Sequence, residues 1–209
     1  MDFSVWLAFV AASTALLLIP GPTVLLVLSY AISQGKRVAL ATAAGVATGD
    51  LIAMSASLAG LGAIVLASAT LFSVLKLIGA AYLVYLGIKL ILSASDMSLD
   101  KVENARSASA RSVFGHAAAV TALNPKSIVF FIAFVPQFIS VDRALAPQFV
   151  ILVATFVTLA AINAFAYAIL ADRLSTRIAR PRVLAWLARA GGGALVAMGL
   201  ATALYRRTT

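Results

Sequence analysis

Apolar residues in this chain run on in long stretches and do not alternate with polar ones. No residue between Phe3 and Gln34 carries a formal charge, and the same holds from Leu51 to Leu75. A helix crosses a bilayer in about 20 residues, so each stretch is long enough to span. The whole pattern predicts six apolar segments: Phe3 to Ile32, Val38 to Leu66, Thr70 to Leu92, Val113 to Ile139, Pro147 to Ala171 and Val183 to Tyr205. Only Ala67-Ser68-Ala69-Thr70 divides the second from the third, which leaves a five-span reading open. The one sizeable hydrophilic stretch, Ser93 to Ser112, splits the chain near its middle and reads as a solvated linker.

Two of the six segments are interrupted from within. Pro20 and Pro22 sit in LLLIPGPTVLLVLSY, and Asn124-Pro125-Lys126 sits in VTALNPKSIVFFIAF about a hundred residues later. A proline inside a helix removes one backbone donor and strands the carbonyl four residues earlier. Hydrocarbon tolerates this only where the backbone is buried in protein or lines a polar cavity. Matching breaks in two halves therefore point to a transport site. Around the linker lies a weak repeat: Gly79 and Gly87 are spaced as Gly191 and Gly199 are, with Leu83-Val84 opposite Leu195-Val196. Three spans per half is an odd number, so the second half must cross in the opposite sense, the inverted-repeat plan of many secondary transporters. The expected organisation is one all-α transporter domain over 1–209. It comprises a first three-helix repeat at 1–92, a linker at 93–112 and a second repeat at 113–209, with helices one and four broken. The glycine pairs also suit plain close packing of helices.

Composition agrees with a bilayer as solvent. The chain is 63% hydrophobic and 11% charged, where a soluble domain carries roughly a quarter charged residues. Zero cysteines exclude a disulfide framework, thiolate metal sites and thiol redox chemistry. The net charge of +9 does not call for nucleic acid, because most of the basic residues fall outside the apolar segments. Lys36 and Arg37 follow span one; Lys101, Arg106 and Arg111 precede span four; Arg173, Arg177, Arg180 and Arg182 separate spans five and six. The opposite side holds Arg143, Arg206 and Arg207. Basic loops stay cytoplasmic, so the expected topology has six spans, both termini outside and the linker inside. The start Met1-Asp2-Phe3 has no basic stretch before the apolar run, which suggests a retained span and not a cleaved signal.

Inside the membrane the chemistry is sparse. The run GVATGD puts Asp50 about 12 residues into span two, roughly 18 Å along a helix. A charge at that depth costs about 2.5–3.5 kcal/mol on insertion scales, so it faces a cavity or a partner. Gly45 and Gly49 give one surface where another backbone can come close. Lys126 is the opposite charge at hand, and an Asp50–Lys126 pair that merely assembles the bundle is the plainer alternative. Asn163 and Tyr167, one turn apart in span five, can line the same cavity or simply bond between helices. Lys76 and Arg189 sit where they can snorkel to an interface. His116 reads as interfacial and Pro136 as the frayed end of span four.

PGP in span one, GVATGD in span two, IGAAYLVYLGIKL in span three and NPKSIVFFIAFVPQFI in span four resemble the lysine exporter family of LysE/RhtB type over nearly the whole chain. Its homoserine, homoserine-lactone and threonine exporters are the nearest in pattern. The resemblance implies a bacterial inner-membrane protein that exports amino acids or close derivatives, driven by proton motive force, with no cofactor. By matching position it makes Pro20, Gly21, Pro22, Asp50, Asn124, Pro125 and Lys126 the functional set. The expected mechanism is proton-coupled alternating access with an amino-acid zwitterion held between the breaks. Carbonyls freed at Leu16, Leu18 and Thr121, with the Asp50 carboxylate, would take the ammonium group. Amides of the restarting half-helix at Thr23 and Val24, assisted by Lys126, would take the carboxylate. The absence of a second deep acid favours small or aliphatic neutral substrates over lysine. The partners implied are the substrate, protons and the bilayer, with homo-oligomerisation left open. An intramembrane aspartyl protease would need two deep aspartates, and Asp50 is alone. A single interfacial His and no Cys argue against a transition-metal exporter or redox carrier. A non-transporting assembly subunit remains an alternative.

Overall fold

The structure, a computed structural model, describes residues 1–18, 22–96, 109–178 and 181–204. Its regular elements are α1 (Phe3–Leu17), α2 (Pro22–Gln34), α3 (Lys36–Ala67), α4 (Ala69–Leu92), α5 (Ala110–Ala122), α6 (Pro125–Phe134), α7 (Leu145–Ile178) and α8 (Pro181–Leu204). Short 3-10 turns follow α4 at Ser93–Asp96 and α6 at Val135–Phe138. The second holds Pro136, so span four does end there. Most of the expected linker, residues 97–108, lies outside the described residues, as do residues 19–21 of the first break.

Four helices, α3, α4, α7 and α8, are long and apolar enough to cross a membrane, and a fifth crossing results if α5 and α6 count as one bent span. The chain turns by 50° between Ala110–Ala122 and Ser127–Phe138. At 15 residues, α1 is about 22 Å long and falls short of the roughly 30 Å hydrocarbon core by itself. The uncertain division between spans two and three is settled at Ser68. Its backbone is extended (φ −165°, ψ 119°), and its hydroxyl accepts the Leu71 N–H at 3.2 Å, an N-cap that starts α4. The turn from α2 to α3 is made by Gly35 at φ +80°, where a side chain would be strained.

Large apolar side chains cover the outside: Leu66 is 84% exposed, Leu204 80% and Trp186 68%. Such a surface suits lipid and not water. The interior holds two clusters. One is aromatic, with Phe9 of α1 packed 5.5 Å from Phe134 and 5.1 Å from Phe138, and Phe131 5.1 Å from Phe156 of α7. The other joins α2, α3, α5 and α7 through Val24, Val27, Ala43, Val46, Ala117 and Tyr167.

The main helix pairs have definite directions. Gly87 of α4 meets the Gly192 carbonyl and Val196 of α8, while Gly199 of α8 meets the Ala80 carbonyl and Val84 of α4, so the two run antiparallel. Ala80, Val84 and Gly87 stand at the same sequence offset from Gly192, Val196 and Gly199 as Gly79 does from Gly191. The contact is thus reciprocal: each helix offers the other the same positions. Gly45 and Gly49 of α3 face Phe114 to Ala122 of α5, in parallel. Along α7, Thr155 receives the Trp6 indole N–H of α1 at 3.0 Å and Asn163 reaches Leu17, also in parallel. The first helix of each half therefore lies along the long second helix of the other half.

Candidate functional site

Both helix breaks are brought against the packed pair of long helices α3 and α7. The α5 break lies against α3. A Cβ added at Gly49 would stand 2.5 Å from Thr121 Cβ and 2.7 Å from the Ala118 carbonyl, in the last turn before Leu123 and Asn124. Gly45 and Gly49, which were also expected as possible cavity lining, instead let the end of α5 approach, and neither lines the cavity described below. Asp50 follows Gly49 near the middle of the 32-residue α3 and is only partly exposed. Among the described residues its carboxylate makes no hydrogen bond or ion pair. The expected pairing with Lys126 falls on a side chain outside the described residues, as do the side chains of Pro22 and Thr23 and all of Pro20 and Gly21.

The α1 break lies against α7. The Asn163 side-chain amide donates to the Leu17 carbonyl at 2.9 Å, and the Tyr167 hydroxyl donates to the Leu18 carbonyl at 3.3 Å. Leu18 is the residue whose i+4 donor Pro22 lacks. Its carbonyl is therefore not left without a donor, as the sequence alone suggested: a neighbouring helix supplies one. At the other break the Thr121 carbonyl, freed by Pro125, accepts the Asn124 N–H at 3.3 Å. Here the chain tightens into a turn and supplies the donor locally. Asn163 and Tyr167 accordingly act as interhelical donors, the plainer of their two readings.

Ser13 escaped the sequence reading. It is fully buried in α1 and its hydroxyl has no partner among the described residues. Other helix hydroxyls, such as those of Thr42, Thr48 and Ser57, bond back to the carbonyl four residues earlier, the usual way for a buried hydroxyl to be satisfied. Ser13 does not, and it lies one turn before Leu17 on the same face of α1. The available signal was weak: a serine beside a threonine in AASTALLLIP.

A cavity of about 440 Å3 opens beside the α5 break between Ala53, Ser57, Leu61, Leu123 and Ile128. Its lining is apolar apart from Ser57, so it offers nothing to hold a zwitterion's carboxylate. Lys76 is half-buried, while His116 and Arg189 are exposed, in keeping with interfacial positions.

Long lipid-facing helices, with two further helices broken at prolines against the central pair, define a multi-pass membrane protein. The model of the LysE type translocator family matches residues 14–206, and the chain belongs to that family. It is 34% identical over 206 residues to a homoserine/homoserine lactone efflux protein of Salmonella typhimurium, covering 99% of both chains. It is 34% identical over 200 residues to an uncharacterised membrane protein of Vibrio cholerae, covering 96% of this chain and 97% of the relative. A leucine efflux protein of Klebsiella pneumoniae is 30% identical over 137 residues, 66% of this chain and 64% of that one. No solved structure matches.

Proposed function

We propose that the protein is a secondary exporter of neutral amino acids, small or aliphatic, or of a lactone derivative, working by proton-coupled alternating access. The observation that carries this reading is the end-to-end likeness to a homoserine/homoserine lactone efflux protein. The partial likeness to a leucine efflux protein extends the substrate class to aliphatic side chains. The family resemblance implies the bacterial inner membrane, and the distribution of Lys and Arg supports an orientation with both termini periplasmic.

In this reading Asp50 takes the substrate ammonium group and exchanges it for a proton. The carbonyls of Leu18 and Thr121 each have one donor already and keep a second lone pair that can assist the carboxylate. The amide end of α2, at Thr23 and Val24, faces the substrate carboxylate at a positive helix terminus, with Lys126 assisting. Asn124 and Pro125 mark the second break, and Pro20 and Gly21 belong to the functional set that the family resemblance implies. The reciprocal α4–α8 contact, and the crossed packing of α1 on α7 and α5 on α3, support two inverted three-helix repeats. Exchange of conformation between such repeats is the usual basis of alternating access.

Counterflow in liposomes tests the reading. Purified protein preloaded with unlabelled amino acid should accumulate labelled threonine, homoserine or leucine in preference to lysine. Preferential lysine exchange would overturn the substrate class, and no exchange of any amino acid would return the protein to an assembly role.

A further inference from the structure

The end of α1 is held by side chains of α7, and this contact carries a further conclusion. The last carbonyls of a helix lose their intrahelical donors, and in hydrocarbon they need replacements. At both ends the backbone supplies part of them: Leu123 N–H serves Ala119 at 2.9 Å and Asn124 N–H serves Thr121 at α5, and Leu18 N–H serves Thr14 at 3.0 Å at α1. At α1 the carbonyls of Leu17 and Leu18 are served from 146 and 149 residues away, by Asn163 and Tyr167. These donors are spaced i, i+4 and so project from one face of α7. They meet two successive carbonyls immediately before PGP. Tyr167 is 5% exposed and belongs to a buried cluster that includes Val24 of α2 and Val46 of α3, two helices that pack on α7.

We infer that Asn163 and Tyr167 are positioning residues of the export site: they clamp the broken end of α1 to α7 and fix where the first break stands relative to Asp50. The inference rests on the export reading for its transport consequences, although the clamp itself can be read separately. Neither residue touches the substrate. Each acts through α1, and because the bonds join the first half of the chain to the second, any relative movement of the halves must keep or break them.

The chain has no cysteine, so one introduced thiol reports without background. Ser13→Cys places it at a fully buried position one turn before Leu17. In Asn163→Leu with Tyr167→Phe, a water-soluble maleimide should label this thiol about tenfold faster than in the otherwise unaltered protein, the scale expected for losing two interhelical hydrogen bonds. The maximal rate of counterflow, measured without the added thiol on whichever of threonine, homoserine and leucine the protein exchanges, should fall about tenfold. The half-saturating concentration should stay within about twofold. Should the double variant fail to insert, Tyr167→Phe alone removes a single oxygen and should give about threefold effects in both measurements. Unchanged labelling overturns the clamp. A raised half-saturating concentration at an unchanged rate makes the pair direct ligands and overturns the positioning role. Lower membrane abundance with normal turnover per inserted molecule reduces the pair to bundle assembly. Faster labelling in a protein that exchanges no amino acid at all removes the export reading and leaves the clamp.

Discussion

At the scale of single residues, Asp50 separates transport chemistry from assembly. It lies beside the glycine that admits α5 and makes no bond among the described residues. If it is the proton and ammonium site, Asp50→Asn should insert normally, since an amide is cheaper to bury than a carboxylate, and proton-driven export should be abolished. If it serves only to neutralise Lys126, the same change strands a buried cation and destabilises the protein. Adding Lys126→Met would then restore folding and export together. Membrane abundance and export, measured for both single variants and the double, distinguish the two. We expect normal abundance with lost export in Asp50→Asn and no rescue; recovered export in the double variant would refute the transport role.

At the scale of elements, glycine positions set how closely helices approach. A Cβ at Gly49 would meet Thr121 Cβ at 2.5 Å and the Ala118 carbonyl at 2.7 Å, and the carbonyl belongs to backbone that cannot turn aside. Gly49→Ala should therefore push α5 off α3 and lower stability by about 1–3 kcal/mol, the usual cost of overpacking. Gly60 lies in the same helix with nothing within 4 Å of an added Cβ. Gly60→Ala should cost no stability, because it adds a methyl group in open space. Thermal unfolding in detergent compares the two, and equal losses would contradict the packing assigned to Gly49. The same physics explains the α4–α8 contact, where Gly87, Gly192 and Gly199 each receive a carbonyl of the opposite helix.

At the scale of the whole molecule, the ion pair between Arg143 and Asp2, at 2.7 Å, ties the start of α1 to the loop between α6 and α7. The proposed six-span topology needs these two segments at the same end, which the proposed orientation puts in the periplasm. Both partners are largely exposed, so the pair contributes little stability, about 0–1 kcal/mol. Its value is in showing which ends lie together. Reporter fusions at the C-terminus and within the linker 93–112 should report a periplasmic terminus and a cytoplasmic linker. A cytoplasmic C-terminus would leave five spans or reverse the assignment, and the inverted repeat would fall with it.

The sequence by itself determined the helices and their interruptions. Expected spans from Val38 to Leu66 and Thr70 to Leu92 became α3 and α4 within a few residues, because hydrocarbon admits only long apolar segments with satisfied backbones. Ser68 and Pro125 mark ends for local reasons, a cap and a missing donor, and local chemistry is legible in local sequence. What happens to a carbonyl after its donor is lost is not local. Proline at position 22 announces that Leu18 needs a new partner, yet only the packing of α7 on α1 supplies Tyr167, and only the turn at Asn124 serves Thr121. Likewise the spacing of Gly45 and Gly49 predicts a close approach without naming α5 as the helix that makes it. The pattern along the chain fixed which groups must be satisfied; the tertiary structure decided by what, because the partners come from helices far away in sequence.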